Sequence, residues 1–223
     1  MEYLSVLLIL AVVISLFASL KVNLTFSKYN KVRSMSGKTA EEVARDILNN
    51  NGLFHVRIEK VAGKLRDHYD PRSEVLRLSD STYGKSSVAA IGVAAHECGH
   101  AIQHAERYAP LVTRNTFAPV AQFSSHLSFI FIIAGLWFEM TGMLGIGIVL
   151  FSAIVLFQLI TLPVEFDASM RASRILAGCS YLSAEENRSS NKVLRAAAMT
   201  YVASTIVSIL QLIRLILIFS RRR

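Results

Sequence analysis

Read for hydrophobic and polar positions alone, the chain alternates between long apolar runs and shorter segments of helical or strand period. Leu4 to Leu20 carries no charged residue, and Lys21, Lys28, Lys31 and Arg33 follow it. Val120 to Leu162 has Glu139 as its one ionised residue and is divided near its middle by Thr141-Gly142-Met143. Tyr201 to Phe219 is mostly apolar, with Arg214 as its one charge, and leads into Arg221-Arg222-Arg223. Apolar runs of about 17 to 25 residues cross a bilayer as helices. The pattern therefore predicts one crossing in the first run, a helix hairpin in the second and a further span in the third, which Arg214 would tilt or draw toward the interface.

Between the first two runs the period shortens. Thr39-Ala40-Glu41-Glu42 has the spacing of a capping box, with Val43, Ala44, Ile47 and Leu48 on one face behind it and Asn49-Asn50-Asn51-Gly52 as a stop. Phe54, Val56 and Ile58 alternate with His55, Arg57 and Glu59 as in a half-buried strand, Val75 to Leu78 is a second short strand, and Asp67 to Arg72 between them reads as a turn. A long helix capped by Ser86 or Ser87 follows. After the second run Pro163 interrupts, a charged helix begins at Val164 and stops near Gly178, and Ser183-Ala184-Glu185-Glu186 caps the next one. The expected organisation is an N-terminal transmembrane anchor (1–21), a soluble part (22–119), a transmembrane helix hairpin (120–162), further helices (163–200) and a C-terminal apolar helix with a basic tail (201–223). The fold class is then mainly α and integral to the membrane, with a small two-stranded β-hairpin and about four transmembrane helices.

Composition agrees with a membrane protein, since 52% of the residues are hydrophobic. The net charge of +8 sits between and beside the apolar runs with no aromatic-interleaved basic stripe, so it reports membrane orientation and not nucleic acid. Only Glu2 precedes the first run, whereas five basic residues, ending with Lys38, follow it. That asymmetry marks an uncleaved anchor and places the soluble part in the cytosol. Cys98 and Cys179 are too few for a disulfide framework and are expected as reduced thiols.

The chemistry lies in His96-Glu97-Cys98-Gly99-His100, within the apolar segment Val93 to Gln103. On a helix, histidines four residues apart project from one face and can reach one zinc ion. Glu97 is then the general base, beside the metal without binding it, and takes a proton from a water that the cation acidifies. A catalytic zinc site usually needs a third protein ligand. His104 lies on the same face as His100, but its distance from His96 is about 12 Å of helix, too far for three rings to share one ion. Glu165, just after the hairpin and Pro163, is the better candidate for a His-His-Glu set; an ion pair with Arg171 or Arg174 is its alternative role.

Four segments now carry a resemblance: Asp67-His68-Tyr69-Asp70-Pro71, Val93 to Gln103, Thr161 to Ser169, and Ala197-Ala198-Met199-Thr200-Tyr201-Val202-Ala203. Over nearly its whole length the chain resembles the YugP-type membrane zinc metallopeptidases of bacteria. The resemblance implies a zinc-dependent peptidase of the bacterial cell membrane with a helical zincin-like core, and it favours Glu165 as third ligand. The stretch from Glu165 to Ala168 also resembles the second half of the HtpX-like gluzincin motif, in which an aspartate follows the ligand by four residues; here that position is Ser169. Asp167 falls on a different helical face, so the group that orients a zinc-bound histidine stays open.

The leading expectation is a membrane-embedded zinc endopeptidase acting on protein or peptide substrates from the cytoplasmic side. His68 or Tyr69 would donate a hydrogen bond to the oxyanion, from strands that accept an extended substrate at their edge; a polar turn chosen for shape is the alternative for those residues. Two rival functions are a membrane scaffold with a structural or degenerate zinc site and a transporter using His96 and Glu97 as an ion site. Internal repeats that would favour the transporter are not evident.

Overall fold

The computed structural model describes residues 2–222. Six helices and three strands follow in the order α1 (Glu2–Tyr29), α2 (Ala40–Asn50), β1 (Arg57–Val61), β2 (His68–Asp70), β3 (Val75–Ser79), α3 (Val88–Ala105), α4 (Ala109–Trp137), α5 (Thr141–Gly178) and α6 (Ala184–Arg222). Four of them, α1, α4, α5 and α6, are long and apolar enough to cross a membrane. The chain folds as two compact units, one of residues 1–18, 109–163 and 199–223, the other of residues 19–108 and 164–198.

In the second unit the caps fall where the side chains dictate. The Glu42 carboxylate accepts from the Thr39 N–H and hydroxyl at 2.8 and 2.9 Å, and Ser87 Oγ accepts from the Ala90 N–H at 3.2 Å, opening α2 and α3. A second capping box, at α6, is closed by Ser183 and Glu186, and Glu186 also accepts from the Met35 N–H. Val43, Ile47 and Leu48 of α2 pack with Leu76 and Leu78 of β3, Ile91, Ala94 and Cys98 of α3, and Leu176 of α5 in one fully buried core. Each fully buried branched side chain of this kind contributes roughly 1.5–3 kcal/mol. Gly99 lets the backbone of α5 pass close by, since a Cβ there would stand 2.8 Å from the Ala168 carbonyl oxygen.

The sheet departs from the expected hairpin. Its order is β1-β3-β2, with β1 parallel to β3 and β2 antiparallel to β3. The two strands read from the sequence therefore run side by side in the same direction, and the connection between them contains the third strand, His68–Asp70, inside the stretch read as a turn. A hairpin exists, but β2 and β3 make it. Three residues with an aspartate before them and a proline after them carry too short an alternation to stand out from turn composition. β1 also starts later than the alternation suggested, and Phe54 is left 71% exposed.

In the first unit, neighbouring helices approach through glycine. A Cβ on Gly135 would collide with the backbone of Leu144, and one on Gly147 would stand 2.7 Å from Ile132 Cγ1, so α4 and α5 pack at closest range there. The expected break at Pro163 is corrected. Pro163 lies inside α5 and does not end it, Pro119 likewise lies inside α4, and α4 begins at Ala109, well before the apolar run. Proline costs a helix one N–H bond, a loss that membrane helices accommodate when their neighbours and local geometry re-satisfy the freed carbonyl. The break between α4 and α5 is Phe138–Met140, with Glu139 at φ 57°, just ahead of the expected divide.

Candidate metal centre

Helix α3 carries both histidines on one face, and α5 brings Glu165 to meet them. Nε2 of His96 lies 3.4 Å from Glu165 Oε2, and Nε2 of His100 lies 3.8 Å from Oε1. One ligand atom from each of the three residues falls within 4.8 Å of the others. These separations are long for direct hydrogen bonds. They suit donors around a common centre, because bonds of about 2.0–2.1 Å in tetrahedral array hold neighbouring donors roughly 3.3–3.4 Å apart. Glu165 is 6% exposed, His100 9% and Glu97 8%. Burial alone would drive the His100 imidazole neutral, but the Glu165 and Glu97 carboxylates, with Gln103, outweigh it and raise its pKa. Buried groups of this polarity call for a cation or a proton among them.

The other ring nitrogens are also engaged. His96 Nδ1 lies 3.1 Å from Ser169 Oγ, and His100 Nδ1 lies 2.9 Å from Gln103 Oε1. The position that carries aspartate in the HtpX-like motif thus keeps contact with a histidine through a serine hydroxyl. Asp167 reaches no histidine directly; it accepts from Gln103 Nε2 at 2.8 Å and from Arg171 Nε at 2.6 Å. Arg171, one of the two ion-pair alternatives for Glu165, instead binds Asp167 and Glu106. Sequence reasoning missed Gln103 altogether. Its signal was present, since it falls three residues beyond His100 and hence on the same helical face.

Glu97 points toward the sheet, where its carboxylate accepts from the Tyr69 N–H at 3.1 Å. The Tyr69 hydroxyl is 2.9 Å from His104 Nδ1, so His104 is engaged there and stands outside the three-residue cluster. Burial pushes the Tyr69 phenol up to about 12, aided by Glu74 and Asp70, which keeps its proton in place at neutral pH. His68 is exposed and its Nδ1 contacts the Arg66 carbonyl at 2.9 Å. Cys98 is buried with Sγ 3.6 Å from the Ala44 carbonyl, burial raises its pKa, and Cys179 is exposed; both are free thiols.

Two imidazole nitrogens and a carboxylate, with the far side of each ring hydrogen-bonded, form a donor set that fits zinc. Comparison with known proteins agrees with that chemistry. The family described as "Putative neutral zinc metallopeptidase" matches residues 4–220. A protein of Bacillus subtilis (strain 168) named "Putative membrane protease YugP" is 47% identical over 217 residues, covering 97% of this chain and 96% of that protein. No solved structure matches.

Proposed function

The chain belongs to the neutral zinc metallopeptidase family, and from that premise we propose that it is a membrane-embedded zinc-dependent endopeptidase in which His96, His100 and Glu165 hold the metal and Glu97 is the general base. The observation that carries the reading is the convergence of three donor atoms within 4.8 Å, from two helices, next in sequence to a buried carboxylate that is not one of the three. Zinc bound by that set supplies Lewis acidity, lowering the pKa of a water to about 7 and polarising the scissile carbonyl.

The protein's own groups do the rest. Glu97 takes the proton from the attacking water and delivers it to the departing amine, a shuttle that needs a carboxylate held still. The Tyr69 N–H supplies that hold. Tyr69 is also the group of β2 best placed to face a substrate, and its protonated hydroxyl can donate to the developing oxyanion once it leaves His104. A substrate segment adding in extended form to the β2 edge would meet the Tyr69 carbonyl, because its N–H already serves Glu97. The contact of His68 with Arg66 gives it no part in this scheme. A purely structural zinc site would favour four protein donors, and among the described residues the cluster has three.

The test is zinc quantification and peptide cleavage on the purified protein and on Glu97→Gln. The glutamine can still accept from the Tyr69 N–H but cannot take the proton, so cleavage should fall by about a thousandfold or more while zinc content is unchanged. Turnover in the variant near the wild-type rate would overturn the assignment of the base.

A further inference from the structure

Gln103 is completely buried, one turn beyond His100 on α3. Its amide has two N–H donors on one side and an acceptor oxygen on the other. The nitrogen lies 2.9 Å from the Val164 carbonyl and 2.8 Å from Asp167 Oδ2, both of which can only accept. Turning the amide over would set its oxygen against two acceptors at a fully buried position. The amide is therefore locked, and Oε1, 2.9 Å from His100 Nδ1, must receive a proton from that ring.

Asp167 is committed in the same sense. Its Oδ2 accepts from Arg171 Nε at 2.6 Å, and Arg171 Nη1 donates to Glu106 at 2.7 Å. An arginine has no acceptor and keeps its charge, so the polarity of the string cannot reverse from that end. His96 is different. Its partner, the Ser169 hydroxyl, can donate or accept and dictates no tautomer.

We infer that Gln103 and Asp167 are positioning residues that act in series to keep the ring proton of neutral His100 on Nδ1, leaving the Nε2 lone pair facing Glu165 and the position that a metal would share with His96. The inference rests on the His96–His100–Glu165 ligand reading and adds to it the device that makes one ligand ready before the metal arrives. The imidazole tautomer would otherwise be a mixture, and a proton on Nε2 would have to move before binding.

The test uses the full-length protein in detergent with isotope-labelled histidine. Nitrogen chemical shifts of the metal-free protein, taken where the ring is neutral, report the tautomer; competition with a chelator reports zinc affinity. The wild type should show His100 protonated on Nδ1. Gln103→Met should give a mixed tautomer and weaken zinc binding by about 10- to 100-fold. Asp167→Asn should do the same to a smaller extent, because asparagine offers a donor that lets the Gln103 amide turn over. Asp167→Asn, on a half-buried side chain, carries the test alone should Gln103→Met fail to fold. A wild-type tautomer and wild-type zinc affinity in the folded variants would overturn the inference. Failure of the ligand reading is seen separately, as a wild type that binds no zinc or a Glu165→Ala that binds it undiminished.

Discussion

In the unit that contains residues 109–163, large apolar side chains such as Phe123, Phe129 and Val149 are more than 60% exposed, while Ser124 and Ser128 are nearly fully buried. In the unit that contains residues 19–108, a core of large apolar groups such as Ile47, Leu76, Leu78 and Ile91 is fully inside, and among its buried polar groups Glu97, His100, Gln103 and Glu165 gather at one place. A helix bundle that faces lipid has no need to hide its hydrocarbon and gains cohesion from close backbone approach. A unit that faces water must hide it, and tolerates buried charge only where a partner compensates. The difference teaches where the chemistry belongs: the polar burial of the first unit is hydroxyl packing, and that of the second is a wired cluster.

Removing the wiring at its centre should have the largest effect. His96→Ala, His100→Ala and Glu165→Ala should each lose zinc along with activity, with at least about a hundredfold loss of zinc affinity, whereas His104→Ala should keep most of the metal because its partner is the Tyr69 hydroxyl. Metal content after dialysis checks this. An emptied His104→Ala beside a loaded Glu165→Ala would mean the ligand set is wrong.

Glycines give the next contrast. Gly99→Ala should push the α5 backbone at Ala168 away from α3 and disturb Glu165 and Ser169 with it, costing about 1–3 kcal/mol and a measurable part of zinc affinity. Gly135→Ala in the other unit meets the Leu144 backbone just as hard, yet should lower thermal stability and leave zinc affinity unchanged. Gly142→Ala, with open space around it, is the control for both. Equal loss of zinc in Gly99→Ala and Gly135→Ala would erase the distinction between the units.

Much of this was legible from the chain alone, because the features involved are local and periodic. The four-residue spacing of His96 and His100 sets their common face, and the capping boxes at Thr39 and Ser183 mark helix starts from a few side chains. Glu165 could be placed because the hairpin between it and the histidines returns the chain to the same side. What escaped depends on partners distant in sequence. Nothing near Gln103 announces that Val164 and Asp167 lie across from it, and nothing near Ser169 announces His96. β2 is a strand only because β3 pairs with it, and Pro163 is accommodated within a helix whose surroundings, not its local propensity, decide its course.

A smaller effect tests the sheet side of the site. Tyr69→Phe removes the hydroxyl but keeps the N–H that holds Glu97, so it should slow cleavage by about tenfold with zinc unchanged, whereas His68→Ala should cleave at the wild-type rate. The pH profile sharpens the point. With its pKa raised to about 12, the Tyr69 phenol stays protonated as pH rises through the ordinary tyrosine value of 10.0, so wild-type turnover should show no loss from this group near pH 10. Normal rates in Tyr69→Phe would leave the tyrosine only its backbone role.

The smallest perturbation asks which side of the membrane the wired unit occupies, and the chain carries its own probe. Cys179 is exposed and belongs to the same unit as His96, while Cys98 is buried and has its thiol pKa raised, so the wild-type protein offers one reactive thiol. The charge asymmetry about the first apolar run, with Lys21, Lys28, Lys31, Arg33 and Lys38 all after it, predicts a cytosolic position for this unit. Phe54, 71% exposed in the same unit, offers a second site. An impermeant thiol reagent should leave Cys179 unmodified in intact cells and label it after lysis, with no change in activity, and Phe54→Cys in a Cys179→Ser background should behave alike. Cys179→Ser alone, retaining only Cys98, should stay unlabelled in both conditions. Labelling of Cys179 and of Phe54→Cys in intact cells would put the metal centre on the outer face, and the substrates would then be proteins outside the cytosol.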